Sequence, residues 1–160
     1  MQTTIESMFD NAENRYLELE ELNILTTYVE SLPERIDAYR CLRDQEVTIM
    51  QKVADQLETN FSTESQQTLE RCLKNALLVM RYAAMAMLRN DAESLDRQLM
   101  GWLTETNAVY NTQTIDTVLY QLLNQQLGSI LTQAQLTLFR PHLAIAEKAI
   151  VEPNKTTVVA

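Results

Sequence analysis

Glycine and proline are scarce in this chain, which contains 2 glycines and 3 prolines in 160 residues. Sheet sandwiches and dinucleotide-binding α/β domains need glycine-rich turns, so the scarcity disfavours both. Collagen-like chains and flexible glycine-serine linkers are excluded outright. Hydrophobic residues make up 46% of the chain, which is enough for one domain with a sizeable core and argues against general disorder.

Cysteine and histidine are also rare, and Cys41, Cys72 and His142 are the complete set. Two cysteines build neither a disulfide framework nor a cysteine-rich metal site, and one histidine cannot supply the paired motifs of a di-iron bundle. No phosphate-binding glycine loop is present, and nothing near His142 completes a nucleophilic catalytic set. We therefore expect no catalytic residues, no metal site and no enzymatic activity.

The two cysteines have different sequence environments. Both lie on apolar stripes, where a free cysteine usually packs as a small hydrophobic residue. Cys72 also lies near the start of a predicted helix, and the dipole at a helix N-terminus can stabilise a thiolate. A packed thiol and a reactive one are both open for Cys72 at this point.

Positive charge is in deficit, with 13 basic against 22 acidic residues and a formal net charge of −9. Nucleic acids and anionic membrane surfaces are bound through basic residues, so neither is an expected partner. There is no apolar run of about 18 residues and no basic region before an apolar stretch, so we expect neither a membrane span nor a secretory signal. A soluble protein of a reducing compartment fits best.

The spacing of apolar residues is helical almost throughout and predicts about seven helices. Their approximate bounds are 4–14, 18–31, 33–58, 65–89, 92–109, 112–127 and 132–151. Pro33 is predicted to start the third helix, because proline fits a first helical turn. Gly128 with Ser129 is predicted to end the sixth helix, and Pro141 to kink or break the last one.

The predicted organisation is one all-α domain. It comprises a domain over 1–151, an N-terminal helical pair within it over 1–32, and a flexible tail over 152–160. The fourth helix carries one charge, Arg81, between Ala76 and Leu88, which predicts a central, buried helix. The span 106–139 carries one charge, Asp116, and is interpreted either as solvated neutral helix faces or as a protein-facing surface.

Short motifs spread over residues 10–110 resemble those of one family. The segment 12–17, Ala-Glu-Asn-Arg-Tyr-Leu, followed by Glu-Leu at 21–22, resembles the N-terminal A-E-x-R-Y-L-x-x-x-E-L of allophycocyanin-type phycobiliproteins. Cys72-Leu73, with Arg81-Tyr82 nine and ten residues on, resembles the segment where that family binds its pigment. The register continues without gaps to Thr106. The resemblance implies a globin-like all-α fold with an N-terminal helical pair.

Two sets of functional residues follow from the resemblance alone. In the family the helical pair holds two subunits together, and the residues implied here are Arg15, Tyr16, Leu17, Leu22, Leu25 and Val29. The family also attaches a linear tetrapyrrole, a bilin, through a thioether to cysteine. The residues implied for that pocket are Cys72, Lys74, Asn75, Arg81 and Tyr82.

The chain departs from the family at this pigment site. The Arg-Asp that follows the family's cysteine is Lys74-Asn75 here, and a neutral amide only weakly imitates the carboxylate that accepts from pyrrole N–H groups. Gln67 and Thr68 stand where the family has arginines for the bilin propionates, and the loop at 59–65 looks shortened. The tetrapeptide Cys-Leu-Arg-Asp at 41–44 spells the family's bilin motif but lies in the predicted third helix, so we interpret it as a coincidence.

Three functions are therefore considered. The leading one is a divergent phycobiliprotein-like protein that acts in light harvesting or its assembly, through contacts with phycobiliprotein or photosystem subunits, as a homo- or hetero-dimer. The alternatives are a true antenna subunit with a bilin on Cys72, and a photosystem assembly or regulatory factor without pigment. All three place the protein at the cytoplasmic face of the thylakoid, in a cyanobacterial cytoplasm or plastid stroma.

Overall fold

The computed structural model describes residues 5–99, 101 and 111–151, and this part of the chain is helical with no strand. Its six helices are α1 (Ile5–Asn11), α2 (Leu19–Asn60), α3 (Gln66–Arg89), α4 (92–99), α5 (Gln113–Ile130) and α6 (Gln133–Val151). The second half of the predicted fifth helix and the predicted tail at 152–160 lie outside the described residues. None of the described helices is long and apolar enough to cross a membrane.

The predicted second and third helices are one helix of 42 residues, so the prediction that Pro33 starts a new helix was wrong. Proline removes the N–H that would bond to the carbonyl of Val29. Both Pro33 and Val29 are exposed, so water can satisfy that carbonyl and the helix continues. At 1.5 Å per residue, α2 is roughly 60 Å long.

Two further predicted interruptions, a helix end at Gly128 and a break at Pro141, are also absent. Gly128 and Ser129 lie inside α5, which ends only at Ile130 with Leu131 as its C-cap. The boundary is set instead by Thr132 and Gln135. The backbone N–H of Gln135 donates to the Thr132 hydroxyl, and the backbone N–H of Thr132 donates to the side-chain oxygen of Gln135. This reciprocal cap starts α6. The chain remains helical through Pro141, so the predicted break is absent there.

The predicted boundaries of the central helix are confirmed. Ser65 caps α3, because its hydroxyl accepts from the N–H of Thr68 at 3.2 Å. Asn90 ends the helix in the left-handed region, with φ of 52°, and its N–H bonds back to the last turn. Asparagine tolerates this conformation better than most non-glycine residues, so it can end the helix in the place where glycine is most common.

The core is formed by α2, α3, α5 and α6, each of which packs against the other three. Helix α2 contributes to this core a buried stripe in its C-terminal half: Ala38, Leu42, Ile49, Val53 and Leu57. Helix α3 contributes many buried residues to this core, but the prediction that it is buried on all sides was wrong, since Arg81, Tyr82 and Met85 are exposed on one side.

Candidate functional site

Helix α3 presents its predicted pigment residues on opposite faces. Cys72 and Arg81 are nine residues apart, which is about half a turn of rotation around an α-helix. Cys72 is buried, while Arg81 and Lys74 are exposed and Asn75 is half-buried. The spacing that carries the family resemblance therefore does not bring Cys72 and Arg81 to one pocket.

The Cys72 face packs against the start of α5. The Cys72 side chain is 3% exposed, and it lies beside Thr112 and Asp116. The Thr112 hydroxyl donates to Asp116 Oδ2 at 2.8 Å. Burial, and then the nearby carboxylate, raise the pKa of Cys72 to about 11. The helix N-terminus thus does not favour a thiolate here, and the thiol is neutral at physiological pH.

Asp116, the one charge of the neutral span 106–139, is itself buried. Burial raises the pKa of the Asp116 carboxyl, and the hydrogen bond from Thr112 opposes that rise. Asp116 lies in the first turn of α5, where the helix dipole favours a negative charge. Next to it, the Tyr120 hydroxyl is buried with no hydrogen-bond partner among the described residues.

The Arg81 face opens on a groove between α2, α3 and α4, with a volume of about 540 Å³. Arg81 crosses it to α2, where its Nε and Nη2 donate to the two carboxylate oxygens of Glu46 at 2.6 and 3.0 Å. Tyr82 and Met85 line the groove and are substantially exposed. The pKa of Glu46 is lowered by the hydrogen bonds from Arg81.

The rim of this groove is rich in arginine. Arg43, Arg81 and Arg89 all line it. Arg89 also lies 3.4 Å from Glu6 of α1 and 3.6 Å from Asp91, so the groove is adjacent to the N-terminal helix of the same chain. These ion pairs are exposed at the arginine side, where they contribute little stability and can exchange partners.

The predicted interface residues lie in and after the turn that joins α1 to α2. Arg15 makes two hydrogen bonds to the carboxylate of Glu21, at 2.8 and 3.1 Å, and that carboxylate also accepts from the N–H of Glu18 at 3.0 Å. This fixes the entry into α2. Tyr16 is 98% exposed and Leu17 is half-buried.

The remaining interface residues belong to a heptad pattern in α2. Apolar and aromatic residues recur every seven positions, with a second series three positions later: Leu22, Val29 and Ile36, then Leu25, Leu32 and Tyr39. The first series is 44%, 52% and 43% exposed, and the second is half-buried. This is the a/d pattern by which helices pair. Sequence reasoning missed its full length because it divided the helix at Pro33.

The heptad pattern runs directly into the groove. Tyr39 belongs to both, since it ends the second series and lines the groove. We call the exposed apolar surface formed by Leu22, Val29 and Ile36 of α2 with Tyr82 and Met85 of α3 the contact strip.

A buried arginine ties α2 to the end of α3, a feature that the sequence did not reveal. Arg35 Nε donates to the Ser31 hydroxyl at 2.7 Å, and Arg35 Nη1 donates to the carbonyl of Met87 at 2.5 Å. The Tyr28 hydroxyl donates to the carbonyl of Leu88 at 2.9 Å. A cation at a helix C-terminus satisfies its free carbonyls and is favoured by the helix dipole.

The six described helices define an all-α protein of the globin-like class. The model of the phycobilisome protein family matches residues 8–150, and the chain therefore belongs to that family. A comparison with curated proteins finds no match. The resemblance drawn from the short motifs is confirmed, and the six described helices are close to the seven expected.

Membership of the phycobilisome protein family associates this chain with light harvesting. Members of the family are structural proteins of light harvesting rather than enzymes, they usually carry bilins, and they assemble into oligomers with other phycobiliproteins. Phycobilisomes lie on the cytoplasmic face of the thylakoid. Among the residues that the structure describes, no group of three or more potential ligands is placed to hold a metal ion.

Proposed function

We propose that this protein is a divergent phycobiliprotein-like subunit that acts through protein–protein contacts at the phycobilisome, as a dimer formed with a second copy through the contact strip. The observation that carries the proposal is the exposed heptad of α2, which leads into an arginine-rimmed groove. An apolar seam of this length on the surface of one chain is typical of a surface covered by another helix.

The charges at the two ends of the contact strip are complementary. Residues 5–34 contain eight acidic residues and one arginine, whereas the groove at the other end is lined by three arginines and two carboxylates: Arg43, Arg81, Arg89, Glu46 and Asp91. In a two-fold symmetric dimer, the acidic end of each subunit faces the groove of its partner. Such a pairing brings opposite charges together at both ends and buries the apolar seam between them.

The size of the surface is also adequate. The helical stretch from Leu22 to Arg43 is roughly 30 Å long, and Tyr82 with Met85 widens it at the groove. A stable interface needs about 800 Å² from each partner, which a strip of this length flanked by side chains can provide. Tyr16, fully exposed in the turn before α2, adds an aromatic side chain at the acidic end.

The test is the mass of the full-length protein in solution, measured by light scattering over a concentration series. We expect a dimer for the unchanged chain. Val29→Ser removes an apolar group from the contact strip and should raise the dissociation constant by at least about 10-fold. Val47→Ser is the matched control, since Val47 is on the same helix, is 78% exposed and lies outside the strip.

Two outcomes would contradict the proposal. One is a monomer at every concentration up to about 100 µM, well above the range in which specific dimers form. The other is an equal effect of Val29→Ser and Val47→Ser, which would mean that exposed valines on α2 act through general solubility.

The place of the dimer in the cell is tested separately. The proposed role predicts co-purification with phycobilisome rods or cores at the thylakoid surface. Exclusive co-purification with photosystem intermediates would instead support an assembly or regulatory factor.

A further inference from the structure

Tyr16 is almost fully exposed, yet the turn that carries it is held in place. Its ring is 98% exposed, while its own carbonyl accepts a hydrogen bond from Arg15 Nη1 at 3.0 Å. The Arg15 guanidinium is held in turn by the carboxylate of Glu21, which also accepts from the N–H of Glu18. The turn therefore presents an aromatic side chain whose backbone is already ordered, as is typical of a residue that anchors an interface.

The heptad pattern of α2 fixes how far along a second copy each residue lies. This step rests on the proposed function, in which the acidic end of each copy faces the groove of the other, so the two α2 helices are antiparallel. Leu22 and Ile36 both lie seven residues from Val29, so a two-fold axis at Val29 pairs each with the other. Leu19 and Tyr39 both lie ten residues from Val29, so the same axis places Leu19 beside Tyr39 of the partner subunit.

The chain before α2 is long enough to carry Tyr16 from that point into the groove. Tyr16 lies three residues before Leu19, and Glu18 between them has extended backbone, with φ of −73° and ψ of 163°. Three extended residues span up to roughly 10 Å. The wall that α2 contributes to the groove runs from Tyr39 to Glu46, which is about 10 Å along the helix axis. Tyr16 therefore comes level with the groove of the partner subunit.

The groove has the shape and chemistry to hold a tyrosine ring. Its volume of about 540 Å³ leaves room for an aromatic side chain, and its walls combine the buried Leu42 and Met80 with the exposed Tyr82 and Met85. Aromatic rings and methionine sulfur both make favourable contacts with another aromatic ring. The arginines of the rim can lie over the ring face, and the phenol hydroxyl can stay at the polar edge.

We propose that Tyr16 is the anchor of the dimer, inserted into the groove of the partner subunit, where its ring packs against Tyr82 and Met85 of the partner subunit. Because the axis is two-fold, the contact is made twice, once at each end of the contact strip. The groove thereby has a specific occupant, and the register of the two α2 helices is fixed.

The first test removes the ring. Tyr16→Ala should raise the dimer dissociation constant by at least about 10-fold, measured by light scattering over a concentration series. Tyr16→Phe is the matched control, since it keeps the ring and should stay within about 3-fold of the unchanged chain. Because Tyr16 makes so little contact within its own chain, neither substitution should alter the thermal unfolding of the monomer. A dimer that is equally tight with alanine would overturn the anchor.

The second test determines the register by disulfide formation. In a Cys41→Ser background, the variant with both Tyr16→Cys and Arg43→Cys should form a cross-linked dimer under mild oxidation. Within one chain the two positions lie at opposite ends of roughly 36 Å of helix, so only a bond between subunits can form. Gln45→Cys in place of Arg43→Cys is the matched control, since Gln45 is exposed on the same helix but does not line the groove.

The expected difference follows from disulfide geometry. Cross-linking through Arg43→Cys should be at least about 10-fold faster than through Gln45→Cys, because a disulfide needs Cα atoms within roughly 7 Å of each other. A dimer linked equally fast through both positions would contradict insertion into the groove. A dimer in which Tyr16→Cys alone links to itself would mean parallel helices and would also exclude the anchor.

These outcomes distinguish a wrong anchor from a wrong dimer. If the unchanged chain is a monomer at every concentration, both the dimer and its anchor are wrong. If the unchanged chain is a dimer that Val29→Ser weakens and Tyr16→Ala does not, the contact strip is retained and only the anchor is wrong.

Discussion

The two halves of α2 use the same helix in different ways. The C-terminal half, residues 37–60, buries most of its apolar residues against α3, α5 and α6, with Val47 as the exposed exception. The N-terminal half, Leu19–Ile36, has a comparable supply of apolar residues, yet Leu22, Val29 and Ile36 remain largely exposed. An apolar stripe becomes core only where another element of the chain covers it. Where none does, it is available to a partner.

Arg35 lies where the two halves meet. It is buried, it holds the end of α3 through the Met87 carbonyl, and its guanidinium lies 5.7 Å from the centre of the Tyr28 ring. The N-terminal half is therefore held to the end of α3 at two points, by the Tyr28 hydroxyl on the Leu88 carbonyl and by Arg35 on the Met87 carbonyl. This leaves the heptad face free while fixing its direction.

The comparison predicts opposite outcomes for one substitution at two positions of α2. Ile49→Ala, in the C-terminal half, should lower the free energy of unfolding by about 2–5 kcal/mol, because it creates a cavity at a fully buried site. Ile36→Ala, in the N-terminal half, should change it by less than about 1 kcal/mol in the monomer. Urea unfolding at a concentration below dimer formation measures both. Equal losses would mean that the two halves are equally packed.

Removal of the anchor should have the next largest effect. Arg35→Leu leaves the Met87 carbonyl at the end of α3 without its charged donor, and we expect a loss of about 1–3 kcal/mol in unfolding free energy. Arg40→Leu is the matched control, since Arg40 is exposed and pairs with Asp37 on the surface at 3.2 Å. The control should change stability by less than about 0.5 kcal/mol. A tolerated Arg35→Leu would show that the packing of α2 alone positions the helix.

Pro33→Ala tests whether the two halves are one unit. Alanine restores the N–H donor that the Val29 carbonyl lacks and has a higher helix propensity, so stability should rise by on the order of 1 kcal/mol. The dimer should persist, because Pro33 is outside the contact strip. Lower stability or loss of the dimer would indicate that proline sets a bend on which the contact strip depends. Thermal unfolding and light scattering report the two quantities.

The smallest expected effect is a pH dependence at the anchor. His142 of α6 is buried, and its pKa is lowered by burial and further by the Arg35 charge, while the Leu138 carbonyl and Asp91 oppose the shift. A group with a lowered basic pKa contributes full stability above its unfolded pKa of about 6.5, and that contribution is lost as the pH falls. The unfolding free energy should therefore decrease more steeply between about pH 7 and 5 than in His142→Gln, which cannot be protonated. Parallel pH profiles would contradict this assignment.

Local signals in the sequence were enough for the all-helical class, for the limits of α3 and for the family. Ser65 and Asn90 act within one turn of their own positions, so their effects do not depend on the rest of the fold. The motif register from Cys72 to Thr106 is likewise a property of the linear chain. The resemblance rests on residues that can be read along the chain, and it implied an interface that includes Leu22 and Val29.

Tertiary structure decided the features that depend on what surrounds a residue. Pro33 and Gly128 did not end their helices, because exposed carbonyls can bond to water and because the Thr132–Gln135 cap set the later boundary. Cys72 and Arg81 share a motif in the sequence, but their half-turn separation on α3 places one against Asp116 and the other across the groove from Glu46. The sequence by itself determined that this protein is a helical member of the phycobilisome family. The packing around α3 decided which of its residues face core, groove or solvent, because burial and hydrogen bonding depend on contacts between helices far apart along the chain.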